Sequence, residues 1–385
     1  MTGLAKRHII VGIVLEVFLL YSGPLSAKGI GEQLAKVMGV SDSTYVTTEK
    51  YNSYANVYMF DCTQAFDFSL SGGKQRLKLK PMNCPDIGVG VGRGLMALSY
   101  SKSINSIFGG ETNHNSNFTF NILANRFGLQ FYQRKVNGDA EITGSEGFQR
   151  YVDKDGSNFM WDGVGAKDGV PADLKGESFD GFHSRETGLD FYYVFNYKHF
   201  SYKAAYGYST RQVRSAGSVV AGVAFSDFKS SLVLTHEPFM NLESFDKWRN
   251  DEQETFSYIP CVTQEVDFLY RKLSAKLGYG YNWAVAKDFV FNVTLFPMLS
   301  LKWSKITTYS LTDLKKQQDV YSGDWSLDFM GRSSLQWNNG KLYAGIYGDF
   351  TTFRYKKPAV NMSQVYAEMR ICMGVYFDTF KKRKH

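Results

Sequence analysis

Phe200-Ser201-Tyr202-Lys203-Ala204-Ala205-Tyr206-Gly207-Tyr208-Ser209-Thr210-Arg211 is the stretch on which the reading of this chain turns. Phe200, Tyr202, Ala204, Tyr206, Tyr208 and Thr210 fall on one side, and Ser201, Lys203, Ala205, Gly207, Ser209 and Arg211 on the other. This is strand periodicity, in which successive side chains point to opposite faces. A soluble sheet would bury the aromatic side and cover the other with many Lys and Glu, yet here that side is mostly small. A membrane barrel inverts the arrangement, turning aromatics to lipid and small or polar groups to the lumen. The stretch is therefore expected to cross a membrane, with Lys203 and Arg211 facing inward.

The same alternation returns further on. Phe289, Phe291, Val293, Leu295, Leu299, Leu301 and Trp303 oppose Asn292, Thr294, Ser300 and Lys302. Trp325, Leu327, Phe329, Leu335 and Trp337 oppose Asp324, Asp328, Arg332 and Gln336. Val365, Ala367, Met369, Ile371, Met373 and Val375 oppose Glu368, Arg370, Cys372 and Gly374, and Leu277 to Trp283 behaves alike. These faces have period two and no helical stripe. Such runs are longer than common soluble strands of about 5 or 6 residues and suit a tilted bilayer crossing. Trp283, Trp303, Trp325 and Trp337 sit at strand ends, as interfacial girdles require. A secreted β-sandwich is the alternative, but it seldom needs so many long strands.

Composition agrees. Aromatics are 16% of 385 residues, with 36 Gly against 8 Pro, a balance of strands and tight turns. Mean hydropathy is negative, which excludes a bundle of membrane helices. The formal charge of +7 is dispersed apart from the tail Lys381 to Lys384, so no nucleic acid partner is expected. Basic Lys6, Arg7 and His8, apolar Ile9 to Tyr21 and small Leu25-Ser26-Ala27 together read as a signal peptide over 1–27. An uncleaved anchor is the alternative. Residues 28–62 are expected to be a periplasmic segment, 63–380 the barrel, and 381–385 a basic tail. Cys62, Cys84, Cys261 and Cys372 are too few for a disulfide scaffold, although Cys62 and Cys84 could pair across an early hairpin. None has metal-ligand spacing, and no cofactor is expected.

Short turns near Asn125, Tyr197-Lys198, Val285-Ala286 and Asn338-Asn339-Gly340 alternate with long polar segments at 104–115, 137–184, 240–263 and 304–322. Outer-membrane barrels place short turns in the periplasm and long loops outside. That parity gives an all-β, antiparallel up-and-down transmembrane barrel of about 14 strands, with 12 if the early hairpins stand apart. The segment 137–184 reads as a long structureless loop over the barrel mouth.

Three groups of residues resemble a known family. They are Tyr193-Val194-Phe195-Asn196, then Phe200, Ser201, Tyr202, Lys203, Ala204 and Ala205, then Gln212 with Ser215, Ala216, Gly217 and Ser218. The early Asp42-Ser43-Thr44-Tyr45 and Gly88-Val89-Gly90-Val91-Gly92 are similar to its opening segments. The family is a Gram-negative, Bacteroidota-type group of exported proteins catalogued only as a domain of unknown function. The resemblance spans about Asp42 to Phe380 and implies an outer-membrane barrel with no assigned catalytic residue. Lys80-Pro81-Met82-Asn83-Cys84 departs from the Tyr-Pro-Asn turn of the family, and Gly207-Tyr208 departs within the central motif.

For chemistry, the glycine series Gly88 to Gly94 lacks the following helix of a phosphate loop and reads as a strand crossed by bulky neighbours. A lipid-active enzyme would need a Ser–His pair, for which His199 with Ser201 and His236 with Ser230 or Ser231 are the candidates. The lumen-lining candidates are Lys203, Arg211, Asp328, Arg332, Glu368 and Arg370, and their mixed signs suit pairing across a narrow lumen more than ion selection. The favoured function is a narrow channel or transporter for a small solute or lipid. A scaffold acting through its loops is the alternative, and an outer-membrane lipid-modifying enzyme is third. Expected partners are outer-membrane lipid and, during biogenesis, the barrel-insertion machinery.

Overall fold

The computed structural model describes residues 38–48, 51, 53–70, 75–81, 85–110, 114–147, 149–152, 158–162, 170–171, 175–176, 178–207, 210–234, 264–310, 315–356 and 361–377. The signal peptide, Cys84, Cys261, His236, Phe380 and the basic tail lie outside the described residues. The strands are β1 (Val46–Thr48), β2 (Ser53–Leu70), β3 (Gln75–Pro81), β4 (Asp86–Arg93), β5 (Met96–Ser103), β6 (Ser116–Leu123), β7 (Phe127–Glu146), β8 (Gln149–Val152), β9 (Asn158–Asp162), β10 (Val170–Pro171), β11 (Ser178–Val194), β12 (Thr210–Gln212), β13 (Ala216–Leu234), β14 (Gln264–Ala286), β15 (Phe289–Ser310), β16 (Lys315–Asn338), β17 (Leu342–Lys356) and β18 (Asn361–Phe377). A short helix, α1, covers Ile104–Phe108.

Antiparallel ladders run β11–β13–β14–β15–β16–β17–β18–β2 and continue β2–β4–β5–β6–β7 back to β11, which closes a barrel. The thirteen-stranded sheet less β3 leaves twelve strands in this ring, the alternative count rather than about 14. β3 bridges the far ends of β2 and β7, with Phe66 opposite Leu79 and Arg76 opposite Glu146. Because β3 and β4 share β2 as partner, two strand-like runs occupy one place in the ring. Toward the loop end, β3 alone stands where β4, β5 and β6 stand lower down, so the barrel narrows there.

The outer surface is apolar. Val89 is 57% exposed, Leu277 59% and Leu327 62%, while Asn282, Asn292, Ser300 and Asp328 are fully buried on the inside. That is the inversion of a barrel solvated by lipid. Trp283 and Trp337 lie near the short-turn end of their strands, and Trp303 and Trp325 near the loop end. Gly88, Gly90 and Gly92 of β4 face inward where Tyr58, Asn56 and Tyr54 of β2 fold across them. A Cβ at any of the three would collide with the β2 side chain.

Boundaries shift in two places. The barrel starts at Ser53, within the segment read as periplasmic. The segment 137–184 is not structureless, since β7 runs to Glu146, β11 starts at Ser178, and β8, β9 and β10 form a separate three-stranded sheet. Likewise β15 and β16 run through most of 304–322 as one long hairpin. Polar side chains at these strand ends hide the pattern, because a ladder beyond the bilayer needs only main-chain pairing.

Candidate functional site

Phe200 to Tyr206, Thr210 and Arg211 do not face lipid. β11 and β13 pair directly, with Val194 opposite Val220, and the segment between them folds into the lumen as a plug. The plug carries a π-helical turn over Lys203–Gly207. Phe200 and Tyr202 are buried against Tyr192, Val194, Val220, Phe296 and Met298 of the barrel wall, and Ala204 and Ala205 are buried as well. The Tyr202 ring lies 5.0 Å from Tyr192, 5.2 Å from Phe200 and 5.5 Å from Tyr206. Tyr206 donates to Asn292 Oδ1 at 2.8 Å. The Gln336 amide, oriented to satisfy its neighbours, donates to the carbonyls of Ala204 and Ala205 at 2.9 and 3.0 Å.

The resemblance motif is the latch of this plug. Gln212 Oε1 accepts from Ser201 N at 3.1 Å and from Asn282 Nδ2 at 2.9 Å, while its Nε2 donates to the carbonyls of His199 and Arg214 at 2.6 and 2.8 Å. Ser218 Oγ accepts from Asn196 N, Asn196 Nδ2 donates to the Gly217 carbonyl, and Ser215 Oγ accepts from Ala284 N. The early motif docks on the same place. Asp42 N donates to the Lys198 carbonyl at 2.8 Å, Val213 N donates to the Tyr45 carbonyl at 2.7 Å, and β1 pairs with β12. The Thr44 amide and hydroxyl, both bonded to the Asp42 carboxylate, hold it below the usual carboxylate range. Two motifs far apart in sequence thus form one structure at the short-turn end.

Arg211 belongs to this latch and not to the lumen or the loop-end rim. It pairs at 2.7 Å with Asp288 in the β14–β15 turn. Ser201 Oγ receives Ala204 N at 3.1 Å, and the His199 ring faces Asp42 and Tyr45. No hydrogen bond joins Ser201 to His199 among the described residues, so this pair lacks the geometry of a nucleophile and its base.

Lys203 leaves the lumen as well. It lines a cleft of about 430 Å³ between the plug and the segment 38–48. Burial pushes its ammonium down to about 8. The folded state therefore disfavours the charged form at all pH below about 8, and the penalty fades as pH rises toward the ordinary lysine value. Lys203→Met is expected to stabilise the protein at pH 7 by about 3 kcal/mol in urea unfolding, with the difference vanishing above about pH 10.5. An unchanged midpoint at pH 7 would show that the ammonium is solvated.

The remaining four candidates do face the lumen, and all are engaged. Glu368 accepts from Arg134 at 2.9 Å and from the Tyr366 hydroxyl at 2.6 Å. Arg134 also reaches Glu186 at 3.6 Å. Arg332 lies 3.5 Å from Asp349 and donates to Gln130 on the opposite wall at 2.9 Å. Arg370 lies over the Tyr58 ring, 4.9 Å from its centre. Asp328 accepts from Lys302 at 2.9 Å, and Lys276 pairs with Asp190. Mixed charges fill the middle of the barrel by pairing across it. The sequence reading missed Arg134, Glu186, Asp349 and Gln130, although Gln130, Tyr132 and Arg134 alternate along β7 as an inner face should.

Above this layer the lumen is aromatic. Phe66, Phe182, Phe228, Tyr270 and Phe353 come from five strands, with ring centres 4.2 Å apart for Tyr270 and Phe353 and 4.8 Å for Phe228 and Tyr270. Beside it the wall parts. β16 pairs with β17 only from Met330 to Asn338, while from Lys315 to Phe329 its ladder is with β15 alone and β17 above Thr351 pairs with β18 alone. At the parting, Thr352 Oγ1 replaces main chain as partner of Phe329 N, at 2.9 Å. A bulge opposite Lys302 to Ser304, with Gly323 at φ 79°, bends β16. Lys302 Nζ reaches across to the Arg354 carbonyl at 2.7 Å and sits 4.1 Å from the Phe353 ring centre.

Among solved structures, the chain is similar to the outer membrane protease OmpT of Escherichia coli, at 8% identity and a TM-score of 0.45 over 85% of this chain and 97% of that one. The toluene transporter TodX of Pseudomonas putida matches at 8% identity and 0.31, over 88% and 98%. The outer membrane protein OprG of Pseudomonas aeruginosa matches at 8% and 0.27, over 86% and 99%. No curated protein matches. The latch, the glycine-rich β4 and the barrel between them all fall within residues 40–377, which match the family described as Domain of unknown function (DUF4421), and the chain belongs to that family.

Proposed function

We propose that this protein is an outer-membrane barrel, exported by the signal segment 1–27, that moves a small amphipathic or lipid-like molecule sideways between bilayer and lumen. The parting of β16 from β17 carries this reading. The opening starts at Phe329 and Thr352, below Trp325 of the loop-end girdle, and so lies within the apolar belt. Behind it stand Phe353 and Tyr270, which receive an apolar chain, and the Lys302–Asp328 pair, which borders it with polar groups. The closed middle layer disfavours an open aqueous pore. With the short-turn end in the periplasm, the seam opens to the outer leaflet, whose lipid is the expected partner, and the barrel-insertion machinery would place the barrel there. Catalysis has no part in this reading.

If the ladder continued, Leu327 would face Arg354. A Leu327→Cys, Arg354→Cys variant, with the native cysteines replaced by alanine, locks the seam on oxidation. A photoactivatable fatty acid in lipid vesicles should label the peptides carrying Tyr270 and Phe353, and the lock should cut that labelling about tenfold until reductant is added. Labelling confined to outward residues such as Leu335, or indifferent to the lock, would leave the scaffold reading, in which the three-stranded sheet β8–β9–β10 at the loop end binds a partner.

A further inference from the structure

The cleft at the short-turn end has the features of a binding site that the lateral opening does not use. Met38, Val40 and Leu95 supply apolar wall, and Ser41, Thr47 and Thr48 supply hydroxyls. Lys203 is the one titratable side chain among its described lining residues. It is 8% exposed, and no hydrogen bond or ion pair from the described residues meets its ammonium. The Thr47 hydroxyl is a second unmet group, buried without a hydrogen-bond partner.

A buried ammonium and a buried hydroxyl are each unfavourable when left alone. Several buried cations inside the barrel or at the latch are met within the chain. Lys276 has Asp190, Lys302 has Asp328, and Arg211 has Asp288. What sets the cleft apart is that the ammonium and the unmet hydroxyl line one space of about 430 Å³ beside apolar wall, which suits an acceptor with negative charge joined to an apolar body.

We propose that the cleft binds a small amphipathic monoanion, with a carboxylate on Lys203 and the Thr47 hydroxyl and a short aliphatic body against Met38, Val40 and Leu95. The head would bridge the plug, through Lys203, to the N-terminal segment, through Thr47. Burial lowers the proton affinity of Lys203, and an anion beside it would offset that cost. The site does not depend on the lateral opening, and locking the seam would leave it intact.

The test uses the full chain in lipid nanodiscs, titrated with hexanoate, with hexanol as the uncharged body and acetate as the head alone. Hexanoate is expected to bind saturably, and hexanol and acetate at least about tenfold more weakly, since a charge-assisted hydrogen bond to lysine is worth that factor or more. Lys203→Met should lose about tenfold or more in hexanoate affinity, and Lys203→Arg should keep most of it. Should the Met variant fail to fold, the wild type decides the question through pH. Hexanoate stays ionised throughout, so its affinity should fall about tenfold from pH 6.5 to 9.5 as Lys203 loses its proton. Equal affinity in Lys203→Met, equal binding of hexanol, or no change with pH would each overturn the proposal.

Discussion

Replacing Gln212 with leucine is expected to release the plug from the barrel wall. The change keeps the volume but removes the acceptor of Ser201 N and Asn282 Nδ2 and the donor to the His199 and Arg214 carbonyls. All of this lies in a buried site, with Gln212 itself 6% exposed. Each stranded polar group costs about 1–3 kcal/mol, so the plug should lose about 3–6 kcal/mol of its hold on the wall. The ring is untouched, because β11, β13 and β14 pair through main chain without the plug. Barrel unfolding in detergent should therefore move little. The segment 195–215 should become sensitive to protease, while the paired charges of the middle layer keep the lumen closed to ions. Gln212→Glu keeps the acceptor and should fall between the two. A protease-resistant Gln212→Leu protein would mean that aromatic packing alone holds the plug.

The second large effect is expected at Glu368. Glu368→Leu leaves Arg134 in the lumen without its 2.9 Å partner, and Glu186 at 3.6 Å only partly replaces it. Removing one member of a buried pair costs about 3–5 kcal/mol, mostly the burden of the charge left behind. The urea midpoint of the folded barrel should drop accordingly. Arg134→Met added to Glu368→Leu should restore part of the loss, since the stranded guanidinium is gone while Glu186 and Arg370 each lose a weaker partner. If the double variant is as unstable as the sum of the two singles, the pair is not coupled, and the middle layer is held some other way.

Much of the barrel was legible before any coordinates. β14 to β18 were legible because lipid outside and polar partners inside impose opposite chemistry on alternate residues over long runs. Asp328, Arg332, Glu368 and Arg370 could be placed in the lumen for the same reason. Their partners could not, because which wall Arg134 or Gln130 faces depends on how the ring closes. The strand count went astray where two short runs, β3 and β4, share one partner, a fact of register and not of composition.

The stretch Phe200 to Arg211 shows the division most clearly. The sequence by itself determined that its aromatic residues must leave water and that the chain around it forms a transmembrane antiparallel barrel. Only the tertiary structure decided that the apolar medium taking those aromatics is the barrel's own interior. Alternation reports that one face is buried, and burial against lipid and burial against protein remove the same water. What separates them is the direct pairing of β11 with β13, which leaves the intervening chain no place in the wall and turns a predicted strand into a plug.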